Sequence, residues 1–338
     1  MREKIAYVTD RLMLLDTASL YFRAFHGVPD SLKAPDGTPV NAVRGLLDII
    51  ARLVTDFRPA RLVACWDDDW RPGWRVDLLP TYKAHRVAKA VPGGVDVEET
   101  PPGLVAQLPL LREVLDALDI TVSGAAEHEA DDVIGSLASQ AAMPVDIVTG
   151  DRDLFQLVDD ARDVRVIYTA RGMSKLETVT DATVVGKYGV LPVQYADYAA
   201  LRGDASDGLP GVSGIGEKTA AKLLQEFVDL DGIIAASSDP DAAMSATIRT
   251  KLTAAGDYLA AAPKVVQVVR DLGLGDFDAA IRPLGAEQLD RVERLGREHN
   301  LGGSVHRVLR ALGNEPAQNK TVQNEPAQNQ PAQDGTAR

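Results

Sequence analysis

Apolar positions along this chain recur with two periods. Residues 11–16 (RLMLLD) form a short apolar run that ends in an acid, the pattern of a buried strand. Residues 17–26 carry apolar side chains at helical spacing. Asn41–Phe57 is an amphipathic helix, capped by Asn41 and stopped ahead of Pro59. Residues 61–67 are a second strand running into acids, Asp67, Asp68 and Asp69. The pattern then weakens from Trp70 to Pro102, where Trp70, Trp74 and Tyr82 interleave with basic residues and Val91-Pro92-Gly93-Gly94 reads as loop. Helical spacing returns over 104–118 and 129–142. Short strands are predicted at 120–122, 145–149 and 164–168, the middle one running into Gly150-Asp151-Arg152-Asp153.

Strands that alternate with helices predict an α/β fold with a mostly parallel sheet. Beyond residue 180 the strand signal vanishes. Residues 181–188, 192–202, 217–227, 241–262 and 284–299 read as helices, so a second, helical part is placed there. From Asn314 the composition collapses to Asn, Gln, Pro and Ala, and the sextet NEPAQN occurs at 314–319 and 324–329. Such a segment has almost nothing with which to build a core and reads as a disordered tail.

The chain has 338 residues, one cysteine and a net charge of −13. A single cysteine allows no internal disulfide and fits a reducing, cytoplasmic location. No apolar run reaches the roughly 20 residues of a membrane span. The acidic total argues superficially against nucleic acid, but its distribution reverses that. Arg71, Arg75, Lys83, Arg86 and Lys89 face the single acid Asp77 across that stretch. A local basic track beside a local acidic pocket is what a metal-dependent nuclease needs.

The candidate chemistry lies in Asp16, Asp67, Glu129, Asp131, Asp132, Asp151, Asp153, Asp204 and Asp207. Each alone has a plain structural reading: Asp16 as a helix cap, Glu129-Ala130-Asp131-Asp132 as acids at the positive end of a helix. Taken together they are harder to dismiss. Three strands deliver acids to the carboxyl edge of one sheet, where ligands bind in open α/β folds. Glu129 and Asp132 share a helix face at i, i+3. Carboxylates crowded this way cannot all stay ionised without a cation. Hard oxygen ligands with no accompanying His or Cys set select Mg²⁺ or Mn²⁺, and two such ions suit phosphodiester hydrolysis.

After Asp204 and Asp207 comes a turn with Gly208, Gly211, Gly214 and Gly216, then Glu217-Lys218-Thr219. A phosphate-binding P-loop is disfavoured by the inserted Glu217 and by the absence of a preceding strand. A helix–turn–helix clamp on a nucleic-acid backbone fits better: the glycines admit a phosphate, amides at the next helix start point at it, and Lys218 and Lys222 supply charge.

With these motifs in view the chain resembles the bacterial and phage 5′-nucleases of the flap endonuclease superfamily, in particular the 5′-3′ exonuclease domain attached to DNA polymerase I. The resemblance rests on LLDTASLYFRAFHG (14–27), CWD (65–67), YKAHR (82–86), EADD (129–132), TGDRDLFQL (149–157) and LRGDASDGLPGVSGIGEKTA (201–220). It implies a PIN-like domain over 1–188 with a helical arch at about 70–102. A helical helix-3-turn-helix domain over 189–312 and the tail 313–338 would follow, as a stand-alone monomeric nuclease. It also implies that the nine acids hold the metals and that Lys83 meets the scissile phosphate with Arg86 beside it. Gly211, Gly214, Gly216, Lys218, Thr219 and Lys222 would hold DNA, and a K⁺ ion would bind backbone carbonyls in the region of Val212 and Ile215. The triple Asp67-Asp68-Asp69 leaves the ligand open by one position. Gly208 stands where the family usually has Asn, which would loosen that turn. The expected activity is divalent-metal-dependent cleavage of DNA with a 5′ flap, gap or free 5′ end, with RNA primers among the substrates, in the nucleoid. A catalytically weak binding protein of the same fold and a PIN-type ribonuclease are the alternatives.

Overall fold

The computed structural model describes residues 9–314. The tail from 315 onward lies outside them. Six strands form the central sheet: β1 (Thr9–Asp16), β2 (Pro59–Cys65), β5 (Thr121–Ser123), β6 (Val145–Thr149), β7 (Val164–Tyr168) and β8 (Glu177–Val179), in the order β5-β2-β1-β6-β7-β8. All neighbours are parallel except β7 and β8. Two further strands, β3 (Val87–Lys89) and β4 (Val97–Glu98), pair antiparallel in a separate ribbon. The short β8 was not apparent from the sequence pattern, because three residues are too few to show a period. The second strand ends two residues earlier than its apolar run predicts; the amide of Trp66 still donates to Ser123, the last residue of β5.

The order places β1 at the centre, between β2 and β6. Its side chains alternate between two cores: Met13 and Leu15 face one cluster, Leu12 and Leu14 the other. The first core is built on helix Asn41–Phe57. That helix starts one residue earlier than the sequence suggests: Val40, not Asn41, is its cap. Asn41 is buried in its first turn, and its side-chain amide donates to the carbonyls of Phe25 and Val28 at 2.7 and 3.1 Å. The helix expected over 104–118 is two, Pro102–Val105 and Leu108–Ala117. Gln107 at the break donates to Asn41 and accepts from the amide of Ala42. Pro109 cannot donate the backbone bond that a continuous helix would need there.

The segment 70–102 is not a helical arch. Pro72, Pro80, Pro92, Gly93 and Gly94 interrupt it. It is built as a six-residue helix (Gly73–Leu78), a 3₁₀ turn (Ala84–Arg86) and the β3–β4 ribbon.

The helical part departs from expectation at its end. Helix Leu230–Ser238 adds to it, and the stretch 241–262 divides into Ala246–Ala254 and Gly256–Val266 at Gly256. The chain then returns to the sheet. Leu62 donates its amide to Ala279, and Ile281 donates to Ala60, along the outer part of β2. Helices Ala286–Glu298 and Gly303–Ala311 put Val292, Leu295, Val305, Val308 and Leu309 into the core of helix Asn41–Phe57. The expected boundary of a helical domain at 312 is therefore displaced: these two helices belong physically to the first core.

Truncation at that seam tests the placement. Leu309, fully buried, should cost about 2–5 kcal/mol of unfolding free energy on Leu309→Ala. A urea melt reads it, and a cost below about 0.5 kcal/mol would mean the last helix is not part of the core.

Candidate active site

Parallel strands bring their acids to one edge. Asp16 ends β1 and caps helix Thr17–Gly27 through its Oδ1, which accepts from Ser19 N at 3.1 Å; its Oδ2 accepts from Thr149 Oγ1 at 2.7 Å. Asp67 lies just past β2 and its Oδ1 accepts from the amide of Ala130 at 2.7 Å, tying it to the start of helix Ala130–Gln140. Beyond β6 the turn is held by donation from Gly150 N to Ser19 Oγ, from Asp151 N to Thr149 Oγ1 and from Asp153 N to Asp151 Oδ1.

The result is a cavity of about 530 Å³ walled by Asp16, Asp67, Glu129, Asp131, Asp151 and Asp204 together with Arg23, Lys83 and Arg86. Asp153 and Asp207 stand immediately behind, each within the electrostatic reach of Asp151 and Asp204. Of the three consecutive acids at 67–69, the structure places Asp67 in the cavity wall. Asp68 is exposed and paired with Arg112 at 3.3 Å, and Asp69 is buried, accepting from the amide of Arg71.

Asp132 is the acid that the structure sets apart. It is fully buried and both its oxygens accept from the guanidinium of Arg75, at 2.7 and 2.8 Å; Oδ1 also accepts from Val269 N. The i, i+3 pairing with Glu129 therefore serves Arg75, which also donates to Glu129 Oε2 at 2.6 Å and to the carbonyl of Val265 at 3.0 Å. The expectation of Asp132 as a metal ligand is corrected accordingly: its lone pairs are spent inside the protein.

Burial raises the carboxyls of this cluster. Asp16 is pushed up to about 6, with the Asp151 charge adding and the Thr149 and Ser19 donors opposing. Asp67 is pushed up to about 7 by burial, reinforced by Glu129 and Asp16. Asp207 is pushed up to about 6 by burial, with Asp151, Glu129 and Asp204 adding and Lys83 opposing. Asp131 and Asp153 lie well above the usual carboxylate range, again from burial first and neighbouring acids second. Asp204 goes the other way: donors from Ser206 and the Arg202 guanidinium outweigh burial and lower it. Lys83 is the inner cation. Its ammonium pairs with Glu129, which outweighs burial and holds it charged.

The donor set fits hard divalent cations. It is all oxygen, and Asp153 Oδ1 is buried with no hydrogen-bond partner. Among the described residues no three acids already close into a metal cage; they ring an open cavity, as ions that keep part of their water require.

The comparisons with known proteins agree on the family. The family described as "5′-3′ exonuclease, N-terminal resolvase-like domain" matches residues 11–189, and "5′-3′ exonuclease, C-terminal SAM fold" matches residues 190–287. The chain belongs to the 5′-3′ exonuclease family. It is 61% identical over 300 residues to a 5′-3′ exonuclease of Streptomyces coelicolor, covering 89% of this chain and 99% of that one. A 5′-3′ exonuclease of Mycobacterium tuberculosis is 48% identical over 314 residues, covering 90% and 98%. Among solved structures, the bacteriophage T5 D15 protein co-crystallised with metal ions has the same fold, with a TM-score of 0.59 and 18% identity over 89% of this chain and 99% of that chain.

Several residues of the enzyme's site were not singled out from sequence. Arg23 lines the cavity, and its Nε is buried without a partner. The signal was present: Arg23 follows Ser19 by four residues on a helix that begins at Asp16, so it faces the same way. Arg75 and Arg71 read as part of a basic track, but both are internal. Arg71 pairs with Asp96 at 2.6 Å. Lys83 and Arg86 do not share a helix. Lys83 is in the left-handed region at φ 46°, before the 3₁₀ turn. Arg86 still reaches the cavity wall, paired with Glu98 and stacked on Trp70 at 5.3 Å.

Gly208 does not loosen its turn. Its φ is +72°, and a Cβ there would collide with the carbonyl of Thr81, while Asp207 O accepts from Lys83 N at 3.0 Å. The missing side chain lets the loop of Asp204 and Asp207 close on the base of the arch segment. The expected nucleic-acid turn is exposed: Gly214, Gly216, Lys218 and Lys222 face solvent, Gly211 and Thr219 are half-buried, and Val212 and Ile215 are buried anchors.

Two outcomes follow from this geometry. Asp67 and Asp16 hold their protons more tightly folded than unfolded, since an unperturbed Asp titrates near 3.9. Between about pH 4 and 7 the folded state thus binds more protons, and stability falls as pH rises through that window. In EDTA, Tm should fall from pH 5 to pH 8. Mg²⁺ should raise it more at pH 8 than at pH 5, and Asp67→Asn should flatten the fall. A metal-induced rise that is equal at both pH values would contradict the assignment. Separately, Gly208→Asn should force the loop off Thr81 and lower turnover roughly tenfold or more through misplacement of Lys83; unchanged kcat would show that the close approach is not needed.

Proposed function

We propose that this enzyme is a divalent-metal-dependent, structure-specific 5′ nuclease that hydrolyses phosphodiesters of DNA bearing a 5′ flap, a gap or a free 5′ end, RNA primers on DNA included. One observation carries the reading: an acid-walled cavity that also admits the cations Arg23, Lys83 and Arg86. An acidic pocket alone would repel a phosphodiester, and these three side chains give it a landing point. Asp16, Asp67, Glu129, Asp131, Asp151, Asp153, Asp204 and Asp207 are the groups that would hold two or more Mg²⁺ or Mn²⁺ ions, which supply a nucleophilic water and charge stabilisation of the leaving oxygen when bound. The T5 D15 protein, which shares the fold, is a flap endonuclease solved in complex with DNA and metal ions, and this supports the reading.

The chain's own residues do the positioning. Lys83 holds a permanent positive charge beside Glu129 and is free to exchange that partner for a phosphate oxygen. Arg86, three residues on in the same segment, adds a second positive charge to the cavity wall. The exposed turn at 211–216 with Lys218 and Lys222 grips the duplex backbone away from the cavity, as basic side chains beside open amides do. Such a monomer would work on the nucleoid in primer removal and repair.

A 5′-labelled flap duplex tests this. Cleavage near the junction is expected with Mg²⁺ or Mn²⁺ and none with EDTA. Asp151→Asn should lower kcat by about a hundredfold or more while flap binding persists. Binding without cleavage in either metal would leave a DNA-binding protein of this fold.

A further inference from the structure

The turn between helix Tyr195–Arg202 and helix Glu217–Phe227 carries a cation of its own. Lys251, from helix Ala246–Ala254, donates from Nζ to the carbonyl of Gly214 at 2.9 Å. The glycine makes this possible: its φ is +72°, and a Cβ at 214 would occupy the place of the ammonium group. The carbonyl of Val212, two residues earlier, already accepts from Ile215 N at 2.9 Å. A carbonyl oxygen has two lone pairs, so Val212 keeps one for a further ligand, whereas the Gly214 carbonyl, inside the region expected to hold K⁺, already has an ammonium on it.

The lysine is held in place from behind. Arg249, on the same helix, donates to the carbonyls of Ala236, Ser237, Ala242 and Met244, and Leu252 is buried in the core beneath. Tyr258 on the following helix accepts from Gly211 N at 3.2 Å and donates to Ala200 O at 2.9 Å, fixing the other end of the turn. One pair of helices therefore clamps the turn at both ends, at Gly211 by a phenol and at Gly214 by an ammonium.

We propose that Lys251 is a built-in replacement for a monovalent cation at this turn, so that gripping a nucleic-acid backbone here does not depend on which alkali ion is in solution. An ammonium has three donors. One is used on Gly214 at an exposed site, leaving two, and Lys218 and Lys222 on the next helix are exposed as well. Lys251 thereby orders the carbonyl and adds a positive charge for a phosphate at one site. The inference rests on the reading of 211–222 as the duplex-binding element.

The test measures binding, not cleavage. The full-length enzyme, in EDTA, is titrated onto a labelled nicked duplex in KCl, NaCl and tetramethylammonium chloride at equal ionic strength. Wild-type Kd should agree within about twofold across the three salts. Lys251→Met should bind about tenfold more weakly in tetramethylammonium chloride and regain most of that loss in KCl, at an unchanged Tm. A loss equal in all three salts would make Lys251 a phosphate contact only and overturn the replacement. So would a wild type that needs K⁺, or a Lys251→Met variant that binds like wild type throughout. If the wild type binds duplex in none of the salts, the duplex-binding reading fails and the inference with it.

Discussion

Repulsion among buried carboxylates governs this molecule. Strand ends, a helix start and one loop deliver acids to the same edge of the sheet, and burial there strengthens every like-charge contact. The remaining structure supplies the counter-charges. Lys83 comes from the base of the arch segment, Arg202 holds Asp204, and Arg75 neutralises the Glu129–Asp132 pair from beneath. Lys83 and Arg75 come from the 70–102 segment and Arg202 from the helical part, so the acids are tolerable only when both are assembled around them.

The sheet and most acids were legible in the sequence for one physical reason: a buried parallel strand is a continuous apolar run, and an acid at its end breaks the run visibly. Val145–Thr149 and Val164–Tyr168 emerge with the boundaries that their pattern predicts. Where the signal failed, spacing did not carry orientation. Glu129 and Asp132 do share a helix face, but that face turns to Arg75 as well as to the cavity, and nothing in EADD reveals a guanidinium 54 residues away from Glu129. The basic run 71–89 could not show that Arg71 and Arg75 are consumed internally. The return of residues 284–312 to the first core was likewise invisible, because an amphipathic helix states that it must be buried and not against what.

The join between the two parts is a third small core. Tyr82 inserts beside Ala196, Ala199, Leu209, Val265 and Val266, next to the residue that carries the inner ammonium. Gly208 lets the Asp204–Asp207 loop approach that same point. A shift of the helical part would therefore be felt at Lys83 directly, through packed side chains and one backbone hydrogen bond.

The last helix settles on a helix made some 250 residues earlier in the chain, since Gly303–Ala311 covers the face of Asn41–Phe57. During translation that face has to wait on the order of tens of seconds for its cover to leave the ribosome. Its exposed apolar stripe is a natural client for a chaperone in that interval, and closure over so long a loop makes folding slow. Helix Gly303–Ala311 is the final described element to be synthesised, and the first core is complete only once it has arrived.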